Sequence, residues 1–153
     1  MNTSLEKNDN ICAISSPNGI GGVAIIRISG SNAIEITQNI FSKNIIDAVG
    51  YSVHYGSIFE SDNEIDEVIV TIFRTPNSFT GEDTAEINCH GSIYIQQKII
   101  ELLIQHGARI AKAGEFSQRS FLNGKMDLSQ TEAIADLIHA NSSAAHKIAI
   151  NQM

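Results

Sequence analysis

The chain is short of cysteine and of long apolar runs, and each shortage excludes a class of protein. Two cysteines, Cys12 and Cys89, among 153 residues are too few for a disulfide framework, which favours a reducing cytoplasm. No apolar run approaches the roughly 18 residues that a membrane span requires, so we expect no membrane partner. The first ten residues, MNTSLEKNDN, lack the apolar core of a secretory signal. We therefore predict a cytoplasmic protein whose residues 1–9 form a disordered leader.

Basic charge is also scarce. The chain has 17 acidic and 10 basic residues, which give a net charge of −7. A domain whose main task is to grip nucleic-acid phosphates would be basic, because counterion release drives that binding. Four basic residues nevertheless fall close together, at Arg109, Lys112, Arg119 and Lys125. This cluster is either a solvated face or the rim of an anion-binding site.

Phosphate-binding loops are missing as well. Neither GxGxxG nor GxxxxGK[ST] occurs, and the glycine-rich segment PNGIGG leads into a predicted strand rather than a helix. The sequence therefore gives no support for nucleotide-phosphate binding by these residues. The segment PNGIGG is either a tight turn or a place where a ligand approaches the backbone closely.

What is present is a mixture of β-branched runs and amphipathic segments. Their order predicts an α+β (mixed α/β) fold with a mixed sheet of about five to six strands and about three helices. Strands are predicted at 11–16, 23–29, 51–60, 64–74, 84–89 and 108–113. Helical segments are predicted at 31–41 behind a Ser31 cap, at 92–106 before Gly107, and at 114–124. At 153 residues the chain suffices for one domain with a core.

A further helix is predicted at the end of the chain. Ser129 and Glu132 form a capping box, S-x-x-E, and an apolar stripe continues from there to Met153. We interpret residues 121–153 as a connector and the start of a truncated helical domain that follows an α/β domain at 10–120.

The segment NSFTGEDTAEINCHG, residues 77–91, carries the densest set of reactive side chains. As a strand, it would place Cys89 with the apolar residues and Glu86, Asn88 and His90 on the other face. This alternation disfavours a Cys–His nucleophile and predicts a buried Cys89. Glu86 and His90 would lie roughly 13 Å apart, too far to share one metal ion, so we predict neither a catalytic residue nor a metal site.

The polar series Glu86, Asn88 and His90 is either a solvent-facing edge or the wall of a ligand pocket. Arg27 lies inside the predicted strand VAIIRIS, on the face of Val23 and Ile25, in a run that otherwise looks buried. A guanidinium in such a place is costly unless it is paired. Arg27 therefore either pairs with a sheet carboxylate, reaches out at the strand end, or meets an anionic ligand.

Three segments in order, GGVAIIRISG, PNSFTGEDTAEINCHG and KAGEFSQRSFLNGKMDLSQTEAIADLI, resemble the N-terminal region of the tRNA uridine-modification GTPases of the MnmE (TrmE) family. The resemblance runs from residue 11 over nearly the whole chain. It implies a fold similar to the tetrahydrofolate-binding domain of aminomethyltransferases, homodimerisation through this domain, and binding of 5-formyltetrahydrofolate or a related tetrahydrofolate. The family's folate contacts fall on Arg27, Glu86 and Lys125 of this sequence.

The resemblance also implies parts that these 153 residues do not contain. The family has a helical domain with an inserted GTPase domain, where GTP, Mg and K ions are expected. With an FAD-dependent partner of the MnmG type, it modifies the wobble uridine of certain tRNAs at C5, and tRNA is contacted mostly through other regions. The present residues alone are not expected to be catalytic.

Two alternatives stay open from the sequence. Ile20 stands where the family usually has a basic residue, which favours a purely structural dimerisation domain with a non-functional pocket. An autonomous enzyme that uses Glu86 and His90 as acid and base is disfavoured by their strand spacing.

Overall fold

The computed structural model describes residues 9–127 and Gln130, which form one six-stranded sheet and three helices. The strands are β1 Asn10–Ile14, β2 Gly21–Ser29, β3 Ser52–Glu60, β4 Asn63–Phe73, β5 Thr84–Gly91 and β6 Ala108–Ile110. The helices are α1 Ala33–Gln38, α2 Ile93–Gln105 and α3 Glu115–Leu122. The strand order is β3-β4-β5-β2-β1-β6, with β1 and β6 parallel and all other neighbours antiparallel. The predicted mixed α+β fold is confirmed.

One face of the sheet carries the hydrophobic core. The alternation of strand side chains brings β-branched residues from the four central strands to this face, and α1 and α2 cover them. Cys12 and Cys89 belong to this core, and burial raises the pKa of both thiols to about 11. The predicted burial of Cys89 is confirmed, and at neutral pH both cysteines are inert thiols.

The cap of the first helix differs from the sequence prediction. The helix begins at Ala33 behind Asn32, and no side chain of its own segment caps it, so the predicted Ser31 cap is wrong. Asn10, at the start of β1, takes that role because its Oδ1 accepts a hydrogen bond of 2.8 Å from the Asn32 backbone N–H. A side chain from a distant strand thus replaces the local cap.

The glycine-rich loop before β2 packs against the protein's own backbone. A Cβ on Gly91 would lie 2.1 Å from the carbonyl oxygen of Gly21, so only glycine allows this approach. The Gln96 side chain is buried and donates to the carbonyls of Gly19 (3.2 Å) and Gly91 (3.0 Å). The loop leaves Ile20 at its tip 87% exposed.

The second face of the sheet is covered at one end only. Ser29 and Thr84, paired across β2 and β5, are buried beneath the β4–β5 loop (residues 74–83) and α3. At the other end of the same strands, Val23 is 65% exposed. The expectation that the VAIIRIS run is buried throughout is therefore wrong for this face. Arg27 lies between the closed and the open end.

The last described residues bear on the predicted C-terminal helix. The predicted capping box of Ser129 and Glu132, and the helix behind it, lie outside the described residues. Asp127 and Gln130 exchange reciprocal hydrogen bonds, from Asp127 N to Gln130 Oε1 (2.9 Å) and from Gln130 N to Asp127 Oδ1 (2.7 Å). This is the pattern of a capping box, placed two residues earlier. Among the helices described, none has the length and hydrophobicity to cross a membrane.

Candidate functional site

Arg27 and Glu86 form the centre of the candidate site. They are direct cross-strand partners in the antiparallel β2–β5 ladder, so their side chains leave the same face of the sheet. Arg27 donates from Nε (3.1 Å) and Nη2 (3.0 Å) to a single oxygen, Oε1 of Glu86. The two side chains are 21% and 23% exposed, respectively. Of the alternatives for Arg27, pairing with a sheet carboxylate is therefore confirmed.

Two aromatic rings enclose the guanidinium of Arg27. Phe79 comes from the β4–β5 loop and Phe116 from α3, and each ring centroid lies 5.2 Å from Arg27 Cζ. Guanidinium groups stack favourably on aromatic rings, so this arrangement fixes the orientation of Arg27. The rings do not seal the pair, because Phe79 and the pair itself keep contact with solvent.

The second carboxylate oxygen of Glu86 is still able to accept a hydrogen bond. Within the part of the chain that the structure describes, Oε2 receives no hydrogen bond, whereas Oε1 accepts two. A carboxylate carries about four lone-pair sites, so a ligand N–H could bind Oε2 without displacing Arg27. The arrangement suits a ligand with N–H donors beside a carbonyl or carboxylate group.

Lys125 lies on the other side of Phe79. Its side chain and Phe79 line a cavity of about 220 Å³. The approach of Lys125 depends on Gly81, which has a φ of +82° and where a Cβ would lie 3.2 Å from Lys125 Cγ. Lys125 is exposed and has no ion pair with another described residue. The structure thus brings Arg27 and Glu86 together directly and joins Lys125 to them through the shared Phe79 wall.

A buried ion cluster holds α3 against the β4–β5 loop, and the sequence did not reveal it. Arg119 Nη1 donates to both oxygens of Glu82 (3.1 and 3.2 Å) and to the Asp9 carbonyl (2.6 Å). Arg109 forms two hydrogen bonds to Glu115, of 2.9 and 2.6 Å. The Arg109 hydrogen bonds are the main cause that lowers the pKa of Glu115 to about 2, and the Lys112 backbone N–H contributes. Burial of the carboxyl group opposes this shift.

The ion cluster corrects the interpretation of the basic residues at 109–125. Arg119 is nearly fully buried and Arg109 is held by two carboxylates, so these two arginines form neither a solvated face nor an anion-binding rim. A hint was available in the spacing of Glu115 and Arg119, which are i,i+4 neighbours on one helix. The spacing alone does not say which face of the helix is buried.

His90 takes no part in the Arg27–Glu86 pair. Its backbone N–H and Nδ1 both contact the carboxylate of Asp66, each at 2.8 Å. Glu86 and His90 therefore have different partners, and the structure does not bring them together as an acid–base pair. Over residues 9–127, no group of three or more His, Cys, Asp or Glu side chains is arranged to hold a metal ion.

Comparison with known proteins assigns most of the chain to one family. Residues 10–125 match the family described as "GTP-binding protein TrmE N-terminus". The chain is 52% identical over 150 residues to a "tRNA modification GTPase MnmE" of Flavobacterium psychrophilum, which covers 95% of this chain and 32% of that protein. Proteins of the same name from Parabacteroides distasonis (53% identity over 149 residues; 94% and 32% covered) and Christiangramia forsetii (48% over 153; 97% and 32%) are similar. The chain thus spans about a third of the length of these relatives.

Proposed function

The chain belongs to the TrmE N-terminal family, and we propose on this basis that it is the folate-binding and homodimerisation module of a tRNA-modification GTPase. The ligand is 5-formyltetrahydrofolate or a related tetrahydrofolate. The observation that carries the proposal is the partly exposed Arg27–Glu86 pair, which keeps one carboxylate oxygen open to a ligand.

The chemistry of the site supports a pterin. A pterin presents adjacent N–H donors and a carbonyl on one edge, which match a carboxylate acceptor next to a guanidinium donor. Glu86 accepts from the N–H groups, and Arg27, held flat by its two phenylalanines, faces the carbonyl side. Lys125 supplies a positive charge for the carboxylate tail of the folate.

Homodimerisation is supported by the open end of the same sheet face. Apolar side chains from three of its strands, β2, β3 and β4, are exposed on this face: Val23, Val53, Tyr55 and Ile69. Exposed apolar side chains that share one face mark interaction surfaces. We expect the chain to sediment as a dimer at micromolar concentration and the Val53→Asp variant to sediment as a monomer with an unchanged circular-dichroism spectrum. Sedimentation of the unaltered chain only as a monomer at high concentration would count against this part of the proposal.

The remaining steps belong, under this proposal, to other parts of the protein. GTP, with Mg and K ions, binds a GTPase domain, since these 153 residues contain no phosphate-binding loop. An FAD-dependent partner of the MnmG type joins in the modification of the tRNA wobble uridine at C5. The net charge of −7 fits a module that contributes little to tRNA binding.

Calorimetric titration of 5-formyltetrahydrofolate tests the folate assignment. We expect Glu86→Gln to raise the Kd at least tenfold, because it replaces an acceptor oxygen by an N–H group that faces the ligand's donors. Glu67→Gln is the matched control: it removes an exposed carboxylate on the same sheet face and should leave the Kd within twofold. Equal Kd values for Glu86→Gln and the unaltered chain would disprove the assignment.

The alternative function is a structural dimerisation domain with a non-functional pocket. Its specific support is Ile20, which is exposed at the tip of the glycine-rich loop where the family usually has a basic residue. A folded dimer that gives no heat with 5-formyltetrahydrofolate at high micromolar concentration would establish this alternative.

A further inference from the structure

Tyr51 has a strained backbone conformation. It lies one residue before β3 with a φ of +63°, in the left-handed region that bulky side chains rarely adopt. Burial of the ring does not compensate for this cost, because Tyr51 is 69% exposed. Strained residues that their surroundings hold in place are concentrated at functional sites. The position of the Tyr51 ring therefore calls for a functional explanation.

The surrounding contacts fix the ring in one place. The Tyr51 backbone N–H donates to the Ile72 carbonyl at 2.7 Å, which ties the residue to β4. Its ring packs edge-to-face on Phe73, with centroids 6.1 Å apart and an angle of 88°. Arg74 anchors the preceding segment by donating to the carbonyls of Ala48 (2.9 Å) and Ile46 (2.6 Å).

The ring lines the cavity that also holds Lys125. This cavity of about 220 Å³ is bounded by Tyr51, Phe73, Asn77, Ser78, Phe79 and Lys125. An apolar cavity of about 150 Å³ is enough to hold benzene, so one six-membered ring fits here. Aromatic walls with a single ammonium group match an aryl group that carries a carboxylate.

The cavity is next to the Arg27–Glu86 pair. Phe79 separates the two, since its ring stacks on the Arg27 guanidinium and also lines the cavity. A ligand whose fused ring meets Glu86 can therefore place a second ring beside Tyr51 and a carboxylate near Lys125. Folates have this order of groups: a pterin, an aminobenzoyl ring and a glutamate.

We propose that Tyr51 is a specificity-determining residue whose ring is the platform for the aminobenzoyl group of the folate tail. This inference rests on the proposed function and adds to it a residue that selects ligands with an aryl tail over bare pterins. With its left-handed backbone, Tyr51 places its ring at the wall of the cavity.

The experiment compares two ligands and two variants of the full chain. Tyr51→Asn tolerates the left-handed backbone but removes the ring, and Tyr51→Phe keeps the ring. We expect Tyr51→Asn to weaken 5-formyltetrahydrofolate about tenfold and Tyr51→Phe to stay within twofold. Tetrahydrobiopterin, a pterin without an aryl tail, should bind all three proteins with the same Kd. Urea unfolding should show that Tyr51→Asn is at least as stable as the unaltered chain.

The outcomes separate this inference from the folate assignment. Unchanged affinity of Tyr51→Asn for 5-formyltetrahydrofolate overturns the platform, and so does an equal loss for both ligands. If the unaltered chain binds neither ligand, the folate assignment fails. Titration with N-(4-aminobenzoyl)glutamate, followed by NMR, then tests the Tyr51 platform separately. Ligand-induced chemical-shift changes at Lys125 that disappear in Tyr51→Asn support it, and the absence of such changes in the unaltered chain overturns it.

Discussion

Two arginine–carboxylate clusters lie on the same face of the sheet and differ in their burial and in how many of their carboxylate oxygens accept hydrogen bonds. In the ion cluster at the closed end, the side chains of Arg119 and Glu115 are only 6% and 8% exposed, and both oxygens of Glu82 and of Glu115 accept hydrogen bonds. In the Arg27–Glu86 pair, both donors of Arg27 converge on one oxygen. A buried cluster whose carboxylate oxygens all accept hydrogen bonds stabilises the fold, whereas a partly exposed pair with one unused carboxylate oxygen can bind a ligand.

The difference comes from what covers the sheet. The β4–β5 loop and α3 cover Ser29, whereas they contact the Arg27 guanidinium only through the rings of Phe79 and Phe116. Ser120 and Asn123 of the α3 region donate to backbone carbonyls of this loop, at 2.6 and 2.8 Å, so the cover is one unit. The ion cluster therefore holds the walls of the site in place, and under the proposed function the Arg27–Glu86 pair recognises the ligand.

The largest effect is expected from Arg119→Met. The change removes a partner from the buried carboxylate of Glu115 and from the partly exposed carboxylate of Glu82. Removal of one member of a buried ion cluster costs about 3–5 kcal/mol. Urea unfolding followed by circular dichroism measures the loss. A loss below about 1 kcal/mol would mean that the closed cluster is no more important for stability than a surface pair.

The next effect is a dependence of stability on acid pH. The folded-state pKa of Glu115, about 2, lies below its ordinary value of 4.5, so its stabilisation is complete above pH 4.5 and is lost as the pH falls toward 2. We expect Glu115→Gln to be less stable than the unaltered chain by about 2–3 kcal/mol at pH 7. The two unfolding free energies should converge between pH 4.5 and 2. A difference that stays constant over this range would contradict the lowered pKa of Glu115.

Arg27→Lys should affect binding far more than stability. The pair is about one-fifth exposed, so the cost in unfolding free energy should be about 1 kcal/mol or less. Lysine loses both the planar fork and the stacking on the two phenylalanines, and we expect at least a tenfold higher Kd for 5-formyltetrahydrofolate. If instead the stability loss equals that of Arg119→Met, the two clusters do not differ in role.

The smallest effect is a difference in salt sensitivity. Between about 0.1 M and 1 M NaCl, the stability loss of Arg27→Lys should shrink by a few tenths of a kcal/mol, because a partly exposed pair is screened. The loss of Arg119→Met should keep most of its size, since the side chains of Arg119 and Glu115 are largely shielded from salt. Urea unfolding of both variants at the two salt concentrations measures these losses. An equal reduction of the two losses by salt would contradict the proposed difference between the pair and the ion cluster.

Local features of the fold were predictable from the sequence. The period of two along TAEINC correctly placed Cys89 inside and Glu86 outside, because strand alternation depends on neighbouring residues alone. The end of α2 before Gly107 was also correct, since a glycine with a φ of +116° follows the helix.

Long-range partners were not predictable. The register that sets Arg27 opposite Glu86 joins residues 59 positions apart, and nothing in either segment specifies it. The predicted Ser31 cap is wrong because Asn10, at the start of β1, accepts the backbone hydrogen bond at the beginning of α1. The burial of Arg119 was not predictable, because the covering of its helix face depends on where the β4–β5 loop folds back.

The parallel pairing of β1 with β6 has a consequence for synthesis on the ribosome. Asn10 pairs with Ala108, so almost a hundred further residues must be synthesised before β6 can cover the free edge of β1. The walls of the site come later still, with Phe116 and Lys125. A nascent chain that has released β2 and β5 contains Arg27, Glu86 and Phe79 but lacks Phe116 and Lys125. Under the proposed function, ligand binding at the complete site therefore requires a chain that has been made at least to residue 125.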